Sequence, residues 1–180
     1  MRKSFFFMLV GLPGSGKSSY VKVKHDDAYV VSLDNMIEAE RLRTRVPPET
    51  YGEAFRRLIQ SGEMKFLEKR MFTNLDNYIL NVENSNTEIE FGKDTIIWDQ
   101  TNLSVKSRIS KMNRFDPKWW YRIAIVFEVP EAELRHRLQY REQKTGKHIP
   151  EHVIFDMMKS YQRPTLSEGF DEIQIVDGAL

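Results

Sequence analysis

The chain has 180 residues, of which 41% are hydrophobic, and a formal net charge of +1. This length and composition fit one compact domain with a full core, so we expect a single domain over residues 1–180. The near-neutral charge excludes the global basic field of a general nucleic-acid binder, and the absence of cysteine excludes disulfides, thiolate zinc sites and a Cys nucleophile. The absence of cysteine agrees with a reducing, cytoplasmic location.

The first apolar run, Phe5 to Val10, resembles the core of a signal peptide because it follows the basic residues Arg2 and Lys3. It leads directly into a glycine-rich motif that cleavage of a signal would destroy, so we predict a core strand. No later stretch approaches the roughly 18 apolar residues of a membrane span, and no membrane partner is expected.

The glycine-rich motif at residues 11–18 fits the pattern of Gly, four residues, then Gly-Lys-Ser/Thr. In such a loop the glycines let backbone N–H groups surround a phosphate, the lysine reaches the β/γ oxygens, and the hydroxyl holds Mg²⁺. The motif predicts ATP and Mg²⁺ as cofactors, Lys17 as a catalytic group and Ser18 as a metal ligand. The expected nucleotide-binding residues are Gly11, Pro13, Gly14, Ser15, Gly16, Lys17, Ser18 and Ser19. The alternative is an ordinary glycine-rich turn.

A carboxylate follows the second predicted strand. A short helix is expected over 18–24 and a strand over 29–31, which stops just before Asp34. Ligands of open α/β sheets collect at the carboxyl ends of strands, so Asp34 is the candidate general base for an attacking hydroxyl and a candidate substrate contact. The alternative is that Asp34 caps the helix predicted over 35–43.

Apolar residues recur at helical spacing over 50–81, which predicts two helices with a break near Ser61-Gly62. This segment is long for a plain crossover, so we expect it to form part of a wall or cap over the acceptor. Tyr51, Arg56 and Arg57 are candidates to touch that acceptor, although the default for each is a surface position.

A second acidic position follows the next strand. A polar connection over 82–93 leads to a strand over 94–98, which is followed directly by Asp99. There Asp99 would hold Mg²⁺ through water or orient a basic partner. The alternative is that it only caps the helix predicted over 104–115.

The apolar run at 123–127 predicts a strand buried on both faces in a parallel sheet. The preceding Trp119 and Trp120 invite a base-stacking interpretation, but core or rim packing is favoured. A helix over 151–161 and a strand over 171–176 complete the predicted elements. Alternation of strands and helices predicts an α/β fold with three layers, in which a mostly parallel sheet of about five strands is flanked by helices.

Two arginines lie one turn apart, Arg137 and Arg141, on the helix predicted over 131–141. Like charges at this spacing repel unless an anion lies between them, so the pair indicates a helical lid whose arginines bind ATP phosphates. A solvated helix face is the alternative. The lid region is expected at 131–150, with the basic segment 144–150 as a mobile hinge.

These motifs together resemble the kinase domain of phage and animal 5′-polynucleotide kinases, over nearly the whole chain except 45–90. The features that carry the resemblance are the phosphate loop, Asp34, the segment 99–102, the helix after Val129-Pro130, and the tail with His148-Ile149-Pro150, Tyr161 and 164–170. The phosphate loop is shared by many kinases, whereas the combination is more specific.

The resemblance implies a P-loop kinase fold and transfer of the ATP γ-phosphate to the 5′-hydroxyl end of DNA or RNA. Asp34 would be the base, and Arg141 the catalytic lid arginine, assisted by Arg137. Acceptor-side roles are implied for Asp99, Thr101 and Asn102. A role in nucleic-acid repair would need ligase or phosphatase partners in trans, and the sequence leaves open whether the chain forms a homo-oligomer.

Two positions depart from the family pattern. Leu33 stands where members of that family usually have an arginine, and Ile37 stands where the phage type has an arginine that contacts the acceptor's phosphate. The acceptor contacts must then come from elsewhere, and Arg41, Arg43 and Arg45 are the candidates. The departure keeps two alternatives open: a kinase of a small-molecule or tRNA-linked hydroxyl, and a non-catalytic nucleotide-binding module.

Overall fold

A computed structural model describes residues 3–43, 49–84 and 94–177. Within these ranges five strands form one sheet, namely β1 (Ser4–Val10), β2 (Tyr29–Val31), β3 (Thr95–Trp98), β4 (Trp120–Glu128) and β5 (Glu172–Asp177). The same ranges contain seven α-helices, namely α1 (Lys17–Lys24), α2 (Leu33–Arg43), α3 (Tyr51–Gln60), α4 (Glu63–Asn84), α5 (Val105–Met112), α6 (Glu131–Thr145) and α7 (Glu151–Ser160). None of these helices is long and apolar enough to cross a membrane.

The strand order is β2-β3-β1-β4-β5, and every pairing is parallel. Strand β1 is central, with Phe7 opposite Ile97 of β3 and Ile123 of β4. Parallel neighbours need crossover connections, which the helices supply. The carboxyl ends of all five strands therefore meet at one edge of the sheet, where the loop after β1 lies.

Both faces of the sheet are covered. Phe6, Met8 and Val10 of β1 pack with side chains of α4 and α5, whereas Phe7 and Leu9 point to the other face, toward α1. A central parallel strand buried on both sides reads as a continuous apolar run, which is what the sequence shows. The predicted three-layer α/β architecture, a P-loop kinase fold, is confirmed.

Several helix boundaries differ from the predicted ones. Helix α2 begins at Leu33, two residues early, and α5 ends at Met112, three residues early, whereas α4 continues to Asn84 and α6 to Thr145. Helix α6 is ended by Gly146, whose φ of 67° is the left-handed conformation that glycine adopts at a helix C-terminus. The first two residues of the predicted hinge are therefore helical. Residues 44–48 and 85–93, which include Arg45 and most of the predicted polar connection, lie outside the described residues.

Trp119, just before β4, and Trp120, its first residue, belong to the core. Trp120 is fully buried, and Trp119 packs against the same hydrophobic cluster. The prediction of core packing over base stacking is confirmed.

Candidate active site

The loop between β1 and α1 has the backbone shape that a phosphate cradle needs. Gly14 and Gly16 have φ of 84° and 98°, in the region that favours glycine. A Cβ at Gly11 would lie 2.8 Å from Ser15 Oγ and 3.1 Å from the Phe127 carbonyl oxygen, so a larger residue does not fit there. Helix α1 begins directly after the loop, so its N-terminal N–H groups favour an anion.

Lys17 is the buried cation of this loop. Its side chain is 8% exposed, and Nζ donates to the carbonyl oxygens of Gly11 (2.9 Å) and Leu12 (2.8 Å). Burial lowers the pKa of Lys17 to about 8, although the charge of Asp99 opposes this shift. A desolvated ammonium inside a glycine cradle fits a polyanion, because the anion's charge favours the protonated form.

The Ser18 hydroxyl donates to Asp99 Oδ2 over 2.8 Å and so joins the start of α1 to the end of β3. Burial raises the pKa of Asp99, while the hydrogen bond from Ser18 and the charge of Lys17 lower it. A hydroxyl and a carboxylate beside a phosphate site are ligands that Mg²⁺ accepts. The described ranges hold no cluster of three or more His, Asp and Glu that would bind a metal alone, so nucleotide oxygens and water would have to complete the shell.

Neither proposed acidic residue is a helix cap. Ser104 Oγ accepts from the Ser107 N–H (3.3 Å) at the start of α5, and Ser32 Oγ accepts from the Asn35 N–H (3.3 Å) at the start of α2. The capping alternatives for Asp99 and Asp34 are therefore wrong. Asp34 lies in the first turn of α2, and its carboxylate contacts residues outside that helix.

Two side chains hold the Asp34 carboxylate. The Tyr51 hydroxyl donates to Oδ1 over 2.5 Å, and the Lys147 ammonium forms an ion pair with Oδ2. Partial desolvation would raise the pKa of Asp34, whose side chain is still 60% exposed, but the charge and hydrogen bond of Lys147 and the hydrogen bond of Tyr51 outweigh it and hold the pKa below its usual range. The same ammonium lies 4.1 Å from the centre of the Tyr51 ring. Asp34 is thus an ionised carboxylate with a fixed orientation.

Sequence reasoning missed this arrangement in part. The sequence makes Tyr51 a candidate acceptor contact with a surface position as the default, and it places Lys147 only in the predicted hinge. The two contacts join α2 to α3 and to the loop after α6. Since Lys147 is 113 positions from Asp34, no local pattern signals the pairing.

Helix α6 lies over the phosphate loop: a Cβ at Gly14 would be 3.2 Å from a methyl carbon of Leu138. Its two arginines differ. Arg137 Nε donates to Glu133 Oε1 over 2.7 Å, whereas Arg141 Nε and Nη2 are buried with no hydrogen-bond partner in the described part of the chain. Burial lowers the pKa of Arg141, and the charge of Asp34 opposes that shift. Buried, unsatisfied guanidinium donors fit an anion that joins them.

Asn102 corrects a prediction. Its side chain is 2% exposed; Nδ2 donates to the Leu9 carbonyl oxygen (2.7 Å), and Oδ1 accepts from Lys111 Nζ (2.6 Å). Asn102 therefore fastens the carboxyl end of β1 to the segment after β3 instead of contacting a substrate. Burial lowers the pKa of Lys111 to about 8.

Arg41 is also not brought to the site. Its Nε donates to Glu38 Oε2 and its Nη1 to the Glu49 carbonyl oxygen, each over 3.0 Å. Arg43 pairs with Glu40 over 3.5 Å. The predicted acceptor contacts of these arginines are therefore not supported by the structure.

The phosphate loop, Asp34 and α6 border one cleft of about 760 Å³, a size suited to a nucleotide or a comparable ligand. It collects most of the predicted site residues, namely Pro13, Gly14, Gly16, Lys17, Ser18, Ser19, Asp34, Asp99, Thr101, Arg137 and Arg141. The other lining residues are Tyr51, Gly52, Phe55, Gln100, Lys147, His148, Ile149, Pro150, Val153 and Met157.

The profile of the AAA domain family matches residues 6–164. Among curated relatives, heterogeneous nuclear ribonucleoprotein U-like protein 2 of Homo sapiens is 23% identical over 171 residues. The match covers 92% of this chain and 20% of the relative, so the chain spans about one fifth of the length of that protein.

Solved structures share the fold at low identity. A proposed kinase from Chloroflexus aurantiacus has a TM-score of 0.62 at 13% identity, with 98% of this chain and 86% of that one covered. A fungal RNA kinase has a TM-score of 0.53 at 14% identity (98% and 75% covered), and a gluconokinase from Sinorhizobium meliloti has 0.52 at 14% (100% and 86% covered). These likenesses concern the fold alone.

Proposed function

Since the chain belongs to the AAA domain family and has the P-loop kinase fold, we propose that it is a Mg²⁺-dependent kinase that transfers the γ-phosphate of ATP to the 5′-hydroxyl end of a polynucleotide. The observation that carries the proposal is the cleft: an ionised Asp34, held by Tyr51 and Lys147, borders the same space as the phosphate loop. A carboxylate so placed suits a base for an incoming hydroxyl.

Each part of the cleft has a role in this reaction. Lys17 and the loop N–H groups bind the donor's phosphates, and Ser18 with Asp99 would hold Mg²⁺. The nucleotide supplies the phosphoryl group. The acceptor oxygen forms the new O–P bond as the bond to the β,γ-bridging oxygen breaks, ADP leaves, and the hydroxyl proton passes to Asp34. Arg141 has unpaired donors for the charge on the transferring group.

The charges beside Asp34 favour an anionic acceptor. Lys147 and Arg141 are both close enough to influence the carboxylate, so a hydroxyl whose own molecule carries a nearby phosphate would meet two cations. The 5′ end of a polynucleotide is such an alcohol, because a phosphodiester follows its first sugar. The fold shared with a fungal RNA kinase agrees with this acceptor.

The test is transfer of labelled phosphate from ATP to 5′-hydroxyl DNA and RNA oligonucleotides. The Asp34→Asn variant should keep ATP affinity but lose at least about a hundredfold in rate, the lower range for a general base. The exposed Asp27→Asn variant is the matched control. Absence of transfer to any oligonucleotide by a protein that binds ATP would refute the proposal.

A kinase of a small hydroxylated molecule is the second candidate. Leu33 packs into the core and Ile37 is buried, so apolar side chains occupy both positions where the resemblance expects arginines. The gluconokinase with the same fold agrees with this alternative. Inhibition by 5′-hydroxyl oligonucleotides that weakens as salt rises would favour the polynucleotide, whereas indifference to them would favour the small molecule. ATP hydrolysis that no acceptor stimulates would indicate a nucleotide-binding module.

A further inference from the structure

One wall of the cleft is apolar and is not used by the core. Phe55 of α3 lines it at 40% exposure, together with Ile149, Val153 and Met157 around the start of α7. None of the four belongs to the hydrophobic clusters found among the described residues. Val153 and Met157 are one helical turn apart, so they share a face of α7.

This wall begins at the candidate base. Phe55 lies one turn after Tyr51 on α3, and the two rings are nearly parallel, with 17° between their planes and 6.3 Å between their centres. The Tyr51 hydroxyl is bound to Asp34, so Tyr51 links the carboxylate to the apolar surface. The cleft thus passes from an anionic end, with Lys147 beside it, to an aromatic and aliphatic end.

A nucleoside at a 5′ end has its polar and aromatic groups in the same order as the two ends of the cleft. Its hydroxyl is at one end, its base is at the other, and the sugar separates them. A base placed against Phe55 presents a π-face to an aromatic ring. A sugar acid or polyol would instead bury hydroxyl groups against Phe55 and the α7 side chains, which costs free energy when they find no partner.

We propose that Phe55, with Val153 and Met157 lining the same cleft, forms a stacking slot for the 5′-terminal nucleobase of the acceptor. The inference rests on the proposed function and adds a contact that selects a nucleic-acid end over other alcohols. Stacking and apolar contact do not read hydrogen-bonding edges, so the slot accepts all four bases with small differences.

The experiment compares 5′-hydroxyl oligonucleotides that differ only in their first nucleotide, which carries one of the four bases or is abasic. Binding is measured by fluorescence anisotropy with the full chain and a non-hydrolysable ATP analogue, and KM is measured with ATP. We expect the abasic end to bind about tenfold more weakly than any base-bearing end, the range of one base–aromatic stack. Phe55→Ala should remove this difference, and Phe55→Trp should restore it.

Two exposed phenylalanines outside the cleft provide controls. Phe66→Ala on α4 and Phe155→Ala on α7 should leave the preference for a base-bearing end unchanged. Equal binding of abasic and base-bearing ends by the unmodified protein overturns the slot. A Phe55→Ala variant that weakens ATP binding instead assigns the wall to the adenine of the donor, and also overturns it.

The outcomes separate the slot from the proposed function. If oligonucleotides are phosphorylated but neither the abasic end nor Phe55→Ala has an effect, the slot fails and the kinase assignment stands. If no oligonucleotide is bound or phosphorylated, both fail.

Discussion

The Tyr51 hydroxyl and the Asp34 carboxylate are 2.5 Å apart, and the tyrosine is the donor. The hydrogen bond stabilises the ionised carboxylate and lowers its pKa. It also raises the pKa of Tyr51, after the larger effects of burial and of the Asp34 charge. The pair therefore keeps a proton on the tyrosine and a negative charge on the aspartate.

Replacement of Tyr51 by Phe removes the donor and keeps the ring. We expect kcat/KM to fall at least about tenfold, since hydrogen bonds to charged groups contribute about 1.5–3 kcal/mol. The acidic limb of the pH profile should move to higher pH, because the pKa of Asp34 rises when the bond is lost. Tyr140→Phe, at an exposed position on α6, is the control. An unmoved acidic limb would show that Tyr51 does not act on Asp34.

The pKa of Lys17, about 8, predicts proton uptake on ATP binding. In the empty protein Lys17 loses its proton as pH rises through 8, whereas phosphates bound beside it raise its pKa again. At pH 8.5 calorimetry in buffers of different ionisation enthalpy should give an uptake of a substantial fraction of a proton, which becomes smaller as the pH is lowered to 7. Lys22→Met, on the exposed side of α1, should behave like the unmodified protein. Binding heats independent of the buffer at pH 8.5 would contradict the prediction.

Asp99→Asn should lower the affinity for Mg²⁺ more than the affinity for ATP. The substitution keeps an oxygen near Ser18 but removes the charge that favours the cation. We expect the Mg²⁺ concentration for half-maximal rate to rise about 10–100-fold, as for other groups that support a bound metal. Metal-free ATP binding should change little, and an unaltered Mg²⁺ dependence would remove Asp99 from the metal site.

Arg141→Ala and Arg137→Ala should differ in effect. Arg141 has buried donors with no partner among the described residues, whereas Arg137 is paired with Glu133. Loss of a group that stabilises transition-state charge costs about a hundredfold or more, which is expected for Arg141→Ala. Arg137→Ala should have a markedly smaller effect on the rate. Equal losses in the two variants would argue that both arginines bind the phosphates alike.

A buried ion pair between Arg108 and Glu168 supports the segment that follows β3. Arg108 bonds Glu168 through Nε (2.7 Å) and Nη2 (2.8 Å), and its Nη1 donates to the Asn102 carbonyl oxygen. Glu168→Gln leaves a buried cation without its counter-charge, which should lower the free energy of unfolding by about 3–5 kcal/mol in urea denaturation. Glu151 is the exposed partner of Arg135, so Glu151→Gln should change the free energy of unfolding by about 1 kcal/mol or less.

What could be predicted from sequence was local. The phosphate loop is contiguous in the sequence. Its glycines, Lys17 and Ser18 lie within eight positions, where backbone geometry and charge require these residue types. The strands were predicted because β1 and β4 are apolar runs buried on both faces. Asp34 and Asp99 could be predicted as candidates because each follows a strand at the edge of the sheet where ligands of open α/β sheets collect.

What could not be predicted depends on contacts between distant segments. Lys147 reaches Asp34 only because the chain returns over the cleft after α6. Phe55 looks like any exposed helical aromatic until α3 is placed beside that cleft. Asn102 is of a residue type that often contacts ligands, but its side-chain amide is hydrogen-bonded to Leu9 of β1 and to Lys111.

The order of strands in the sheet sets the timing of events during synthesis. Strand β1 is made first, yet its two neighbours are Thr95–Trp98 and Trp120–Glu128. Until both have left the ribosome, the phenylalanine-rich β1 exposes two edges that can pair with other chains. The loop that follows β1 lacks these neighbouring strands before then, so a ligand of this loop is not expected to protect the nascent chain early.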